Sequence, residues 1–189
     1  MTARETLIDT TQALLWERGY AATSPRAILD RAGVGQGSMY HHFAGKEALA
    51  VAAFERNAEV VFDKAAVVLR GEGTAVGRLN AYLLLQREVL RGCPVGRMAG
   101  DPEVLESPAL RAVLARTFDR IRALAVEVVA RGIEAGELRP DIEAAELADT
   151  VLAVVQGGYV LARAAADPVP FERAVQGAVA LLDLQRQEI

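Results

Sequence analysis

Gln36, Gly37, Ser38, Tyr40 and His41 are the residues of this chain whose types and spacing point to a chemistry. On a helix, Gly37, Ser38 and His41 share one face, with Gln36 and Tyr40 at its flanks. That face has hydrogen-bonding groups, two rings, one residue without a side chain and no carboxylate. Amides and hydroxyls can bond base edges and phosphate oxygens, so the face suits a phosphate-lined groove. Bond-making chemistry finds no footing. His41 and His42 are adjacent, so their side chains leave a helix about 100° apart, and no further metal ligands cluster with them. Gly35-Gln36-Gly37 follows no strand and is no dinucleotide loop. HExxH, GxSxG, phosphate-loop and paired-carboxylate arrangements do not occur, so the expectation is a protein that is no enzyme and needs no metal or cofactor.

The elements that must position this face can be read around it. Met39 and Phe43, four residues apart, fall on the opposite side of the same helix and can pack inward. Ala32-Gly33 marks the sharp turn before it, because glycine adopts the left-handed conformation that ends a helix at no steric cost. The preceding helix starts at Ser24-Pro25, a capping hydroxyl followed by a proline suited to the first turn, and buries Ala27, Ile28 and Ala32. A first helix from about Arg4 to Arg18 carries Leu7, Ile8, Thr11, Leu14 and Leu15 at helical spacing and stops at Gly19. Trp16 lies near this stripe. Together these pieces read as a helix-turn-helix whose second helix enters the DNA major groove.

Beyond residue 46 the pattern stays helical. Lys46 opens a long helix to about Arg70, and Gly71-Glu72-Gly73-Thr74 breaks it. A helix from Ala75 to about Leu90 follows, then an undecided stretch from Arg97 to Glu106. Ser107-Pro108 starts a helix to about Ala135, and Pro140-Asp141 starts another to about Ala166. A last helix is striped by Phe171, Ala174, Val175, Ala178, Leu181 and Leu182. The fold class is therefore all-α: a helix-turn-helix domain over residues 1–46 and a helical domain over 47–189. Thr150 to Ala162 is apolar on every side and includes Gly157-Gly158, where a second helix can approach closely. The last two helices are thus expected to form a two-fold homodimer interface, a central buried helix being the plainer alternative.

The 189 residues are 52% hydrophobic but only 5% aromatic, enough for a proper core built mainly of alanine, valine and leucine. The longest charge-free hydrophobic run has 13 residues, short of the roughly 20 that cross a bilayer, so no membrane partner is expected. One cysteine rules out an internal disulfide, and the amino terminus enters an amphipathic helix directly; both fit a cytoplasmic protein. The formal net charge is −4, and residues 1–50 carry five basic and five acidic side chains. Any surface positive enough for DNA must therefore be local, and its salt dependence modest.

The run Gly19-Tyr20-Ala21-Ala22-Thr23-Ser24, then Ile28, Ala32-Gly33-Val34, Gly37-Ser38-Met39-Tyr40-His41-His42-Phe43 and Lys46-Glu47-Ala48-Leu49 resembles the TetR family of transcriptional regulators. The resemblance is dense over about residues 4–50. It implies that Ser24 and Arg26 touch phosphate and base, and that Gln36, Gly37 and Ser38 meet base edges or backbone. Tyr40 and His41 would bind phosphates, and Lys46 would anchor the backbone. Gly35 stands where the family often has a capping serine, so one phosphate contact is lost. The resemblance further implies a homodimer that binds a palindromic double-stranded operator and represses transcription. A small-molecule inducer in the C-terminal domain would release it by moving the Lys46 helix. Gly92-Cys93-Pro94-Val95-Gly96 resembles a segment of the lincomycin- and flavonoid-responsive branch, and similar cysteine segments occur in some electrophile-sensing members.

For the inducer, Phe62, Tyr82, Phe118 and Tyr159 are pocket-lining candidates, with Gln86, Arg122 or Gln156 as polar anchors; ordinary core residues are the alternative. Cys93 is either a small packed residue or a thiol sensor. Two rival functions stay open: an interaction protein that kept the fold and lost operator binding, and a helical-bundle enzyme.

Overall fold

The computed structural model describes residues 2–187, and among these every element except a short 3-10 turn and one isolated β-bridge is an α-helix. The helices are α1 (Ala3–Arg18), α2 (Pro25–Ala32), α3 (Gln36–His42), α4 (Lys46–Leu69), α5 (Ala75–Leu83), α6 (Pro102–Glu106), α7 (Pro108–Glu134), α8 (Ala144–Ala165) and α9 (Val169–Asp183). The 3-10 turn, Gly96–Gly100, precedes α6. Two compact units result: residues 1–61 with 94–117, and residues 62–93 with 118–189. Helices α4 and α7 each supply residues to both. The boundary expected at residue 46 falls at the start of α4, whereas compact packing groups 47–61 and 94–117 with the first three helices.

In the first unit α1 packs on α2 and α3. Its core holds Leu7, Ile8, Leu14, Leu15, Ile28, Met39, Leu49, Phe54, Met98 and Leu110, all at most 2% exposed. The helix starts are those their residues favour: Thr2 accepts from the Glu5 amide at 3.2 Å and Ser24 from the Ala27 amide at 3.2 Å. Gly33 ends α2 with φ +64°, in the left-handed region where glycine is cheapest. Trp16 is half-buried.

In the second unit α8 lies along α9, and α5 packs on both. Gly158 permits the α8–α9 approach: a Cβ there would sit 2.8 Å from Cδ2 of Phe171. Helix α8 is long and apolar enough by composition to cross a bilayer. However, its Asp149 forms an ion pair with Arg122, and its Tyr159 packs on Phe171, which is the setting of a bundle helix.

Two helix ends differ from expectation. Helix α5 stops at Leu83 because the Arg87 guanidinium turns back, donating to the carbonyls of Leu83 (3.0 Å), Leu85 (2.7 Å) and Tyr82 (2.5 Å). Carbonyls that a continuing helix would have used are satisfied by a side chain instead. Helix α8 starts at Ala144 because the preceding backbone pairs with the carboxyl-terminal segment. Arg139 N donates to Gln185 O at 3.1 Å, Gln187 N donates to Glu137 O at 3.0 Å, and Leu138 bridges Arg186. The undecided 97–106 stretch resolves into the 3-10 turn and α6, whose cap is Asp101.

Candidate nucleic-acid interface

Helix α3 sorts its residues by face as its spacing requires. Met39 is fully buried and Phe43 nearly so, while Gln36, Gly37, Tyr40, His41 and His42 are exposed and Ser38 is half-buried. Tyr40 stands out at 54% exposure, which a ring adopts in water only at a cost in apolar hydration. Gly35 caps the helix without a side-chain bond, and the Ser38 amide donates to the Gly35 carbonyl at 3.0 Å. A Cβ at Gly37 would meet nothing within 4 Å, so the glycine is not there to relieve internal crowding. His41 and His42 rings lie 4.9 Å apart, edge to face, and the described residues contain no group of three that could hold a metal.

The cations of this unit divide into two sets. Arg31 clasps Glu17 through both nitrogens at 2.5 and 2.9 Å, and Arg56 bridges Glu5 and Asp9 at 2.6 Å each. The Arg56 guanidinium holds the Glu5 carboxyl below its ordinary value. These arginines spend their charge on neighbouring helices. Arg26 does not: its side chain is 91% exposed and only loosely paired with Asp30 at 3.6 Å. An ion pair this exposed is worth at most about 1 kcal/mol and yields readily to a phosphate. Ser24 is exposed and accepts the Ala27 amide as cap of α2. Lys46 is more confined, with Nζ 3.9 Å from the Tyr20 ring centroid and 3.7 Å from Glu103.

Residues far along the chain that local patterns do not mark also shape this unit. Asp101 Oδ2 accepts the Tyr20 and Ala21 amides at 2.7 and 2.9 Å, fixing the turn that leads into α2. Arg97 donates to the carbonyl of Trp16, at the last turn of α1. Only Gly19, with φ +83° and a missing Cβ that would lie 3.0 Å from Asp101 Oδ2, fits beneath that carboxylate.

The second unit holds all eight inducer candidates, and four of them are buried. Phe62, Tyr82, Cys93 and Tyr159 are 8%, 5%, 5% and 8% exposed. Burial pushes the Tyr82 phenol up to about 12 and raises Tyr159 as well, with Arg87 close enough to counter both shifts. Arg87, absent from the expected set, lies 5.3 Å from the Tyr82 ring centroid. Phe118 and Gln156 are half-buried, whereas Gln86 is exposed. Arg122 faces outward and pairs with Asp149 at 2.5 and 3.0 Å. Phe62 lies under the guanidinium of Arg120 at 3.6 Å, with Arg70 at 5.8 Å.

Residues 7–53 match the family described as bacterial regulatory proteins, tetR family, and residues 76–178 match the tetracyclin repressor-like C-terminal domain. The chain belongs to the TetR family. This TetR-family chain is similar over 99% of its length to the crystal structure of a TetR transcriptional regulator from Chloroflexus aurantiacus, with 31% identity, TM-score 0.90 and 97% of that chain covered. It is 28% identical over 142 residues to the HTH-type transcriptional repressor KstR2 of Mycobacterium tuberculosis, covering 74% of this chain and 71% of the relative. The reduced form of Escherichia coli NemR is similar at TM-score 0.82 and 26% identity, over 98% of this chain and 97% of NemR. The chain is thus a TetR-family transcriptional regulator built on an all-α fold with an N-terminal helix-turn-helix.

Proposed function

We propose that this regulator is a cytoplasmic, non-enzymatic repressor that binds a palindromic operator as a homodimer and is released by a small-molecule inducer. The observation that carries the reading is the exposed, carboxylate-free face of α3, with Tyr40 held out at 54% exposure while Met39 behind it is buried. Gln36, Gly37 and Ser38 read bases or backbone there, while Tyr40, His41, Arg26 and Ser24 contact phosphates. Residues 1–46 are the DNA-binding module, and 47–189 take the ligand and dimerise.

The dimer surface is the outer face of α8 and α9. Val160 and Leu161 on α8, and Leu181 and Leu184 at the end of α9, are 54–69% exposed. A Cβ at Gly157 or Gly177 would meet nothing within 4 Å, which leaves room for a partner helix to approach. An exposed apolar stripe with small residues beside it is the pattern of an isologous helix-pair interface. Two such subunits would place their α3 helices in successive major grooves about 34–36 Å apart. The buried group of Tyr82, Cys93 and Tyr159 supports an interior inducer site, and α4, common to both units, is the covalent route from it to the helix-turn-helix. Full release requires an inducer that prefers the non-binding state by about 5.5 kcal/mol.

An electrophoretic mobility shift with the intergenic DNA beside the gene tests this function. The expected result is a retarded complex at low salt that a homologous palindrome competes away. No complex with any palindrome there would favour an interaction protein that has lost operator binding, which the balanced charge of residues 1–50 would suit.

A further inference from the structure

Lys46, the expected phosphate anchor at the start of α4, already has partners. Its Nζ sits over the Tyr20 ring and 3.7 Å from a Glu103 oxygen, and the side chain is 22% exposed. Glu103 is held in place through its surroundings. Asp101 Oδ1 accepts the Glu103 amide at 3.2 Å, while Oδ2 of the same carboxylate grips the Tyr20 and Ala21 amides. Four residues on, the Ser107 hydroxyl donates to the Glu47 carboxylate beside Lys46. Arg97 completes the attachment through the Trp16 carbonyl and the Glu17 carbonyl. The Tyr20 phenol, raised first by burial and then by Glu47, Glu103 and Asp101, registers the same convergence of carboxylates around Lys46.

We propose that residues 97–107 form a clasp on the helix-turn-helix, and that Glu103 within it is an internal competitor for operator phosphate. Lys46 anchors DNA only in the fraction of complexes in which it exchanges the Glu103 carboxylate for a phosphate, so the parent makes this contact only in part. Because Glu103 is itself 54% exposed, the pair is cheap to break, so the clasp tunes affinity without abolishing binding. The chemistry is one cation shared between two anions, and the clasp decides how much of it the DNA receives. This inference rests on the DNA-binding reading above.

The test uses the full-length protein and a duplex it selects from a random-sequence pool, with affinity followed by fluorescence anisotropy from about 50 to 200 mM salt. Glu103→Gln should bind roughly fivefold more tightly at low salt, and its log–log salt slope should steepen by up to about 0.9 per subunit, one added phosphate contact. Glu106→Gln, an equal charge change at an exposed position of the same helix, should leave the slope alone. In a Lys46→Gln background, Glu103→Gln should lose its effect. An unchanged slope in Glu103→Gln, weaker binding, or an equal gain without Lys46 would overturn the clasp. Those results leave DNA binding itself intact, whereas a parent protein that selects no duplex would remove the functional reading and the clasp together.

Discussion

Helix α3 and the interior around Tyr82 and Tyr159 are opposites in how they hold their candidate functional side chains. On α3 the proposed reading face is exposed and makes few internal bonds, so its residues add little to stability and are open to a ligand. Around Tyr159 the rings are buried, with the Phe171 ring 5.0 Å away, so the proposed inducer recognition would depend on the same atoms as folding. Substitutions should therefore separate the two regions: function without stability on α3, and stability first in the interior.

The largest expected effect is at Tyr159. Truncation to alanine removes a ring packed on Phe171 and should lower unfolding free energy by about 3–5 kcal/mol, as large aromatic truncations do. Urea titration measures this; a loss under 1 kcal/mol would mean the interior is looser than its packing implies. Next in size is a pH effect at Tyr82. Its folded phenol is pushed up to about 12 by burial, above the unfolded value near 10. Its contribution is then complete below pH 10 and is lost as pH rises through 12, because the unfolded chain sheds the proton first. The loss amounts to at most ~3 kcal/mol, and Tyr82→Phe should flatten this part of the pH–stability curve.

One substitution made in both regions sharpens the contrast. Gly158→Ala drives a Cβ to 2.8 Å from Phe171 and should destabilise by about 1–3 kcal/mol. Gly37→Ala meets open space in the first turn of α3 and should stabilise by a few tenths of a kcal/mol, below the roughly 1 kcal/mol of a helix interior. DNA affinity should nevertheless fall in Gly37→Ala if the bare backbone is what approaches the duplex. Thermal melts paired with anisotropy would show whether the two readouts diverge.

The same contrast explains what the sequence reveals. The helix-turn-helix is written in local signals: Ser24-Pro25 begins α2, Gly33 ends it, and Met39 and Phe43 orient α3. The exposed reading face follows from those signals alone. Features that depend on distant partners do not appear there. The end of α5 is set by Arg87 folding back on carbonyls, and the start of α8 by pairing with residues 185–187. Asp101 fixes the Tyr20–Ala21 turn from eighty residues away. In the interior, aromatic type marks Tyr82 and Tyr159 as candidates, but the same criterion selects Phe62, which Arg120 covers. Arg122 qualifies by charge and sits outside, paired with Asp149.

Whether the exposed face of α3 reads DNA is decided by footprinting the parent and Tyr40→Ala on the same selected duplex. The parent should protect two patches about one helical turn apart. Tyr40→Ala should lose both with an unchanged melting temperature. Equal footprints from both proteins would mean that the α3 face does not read DNA.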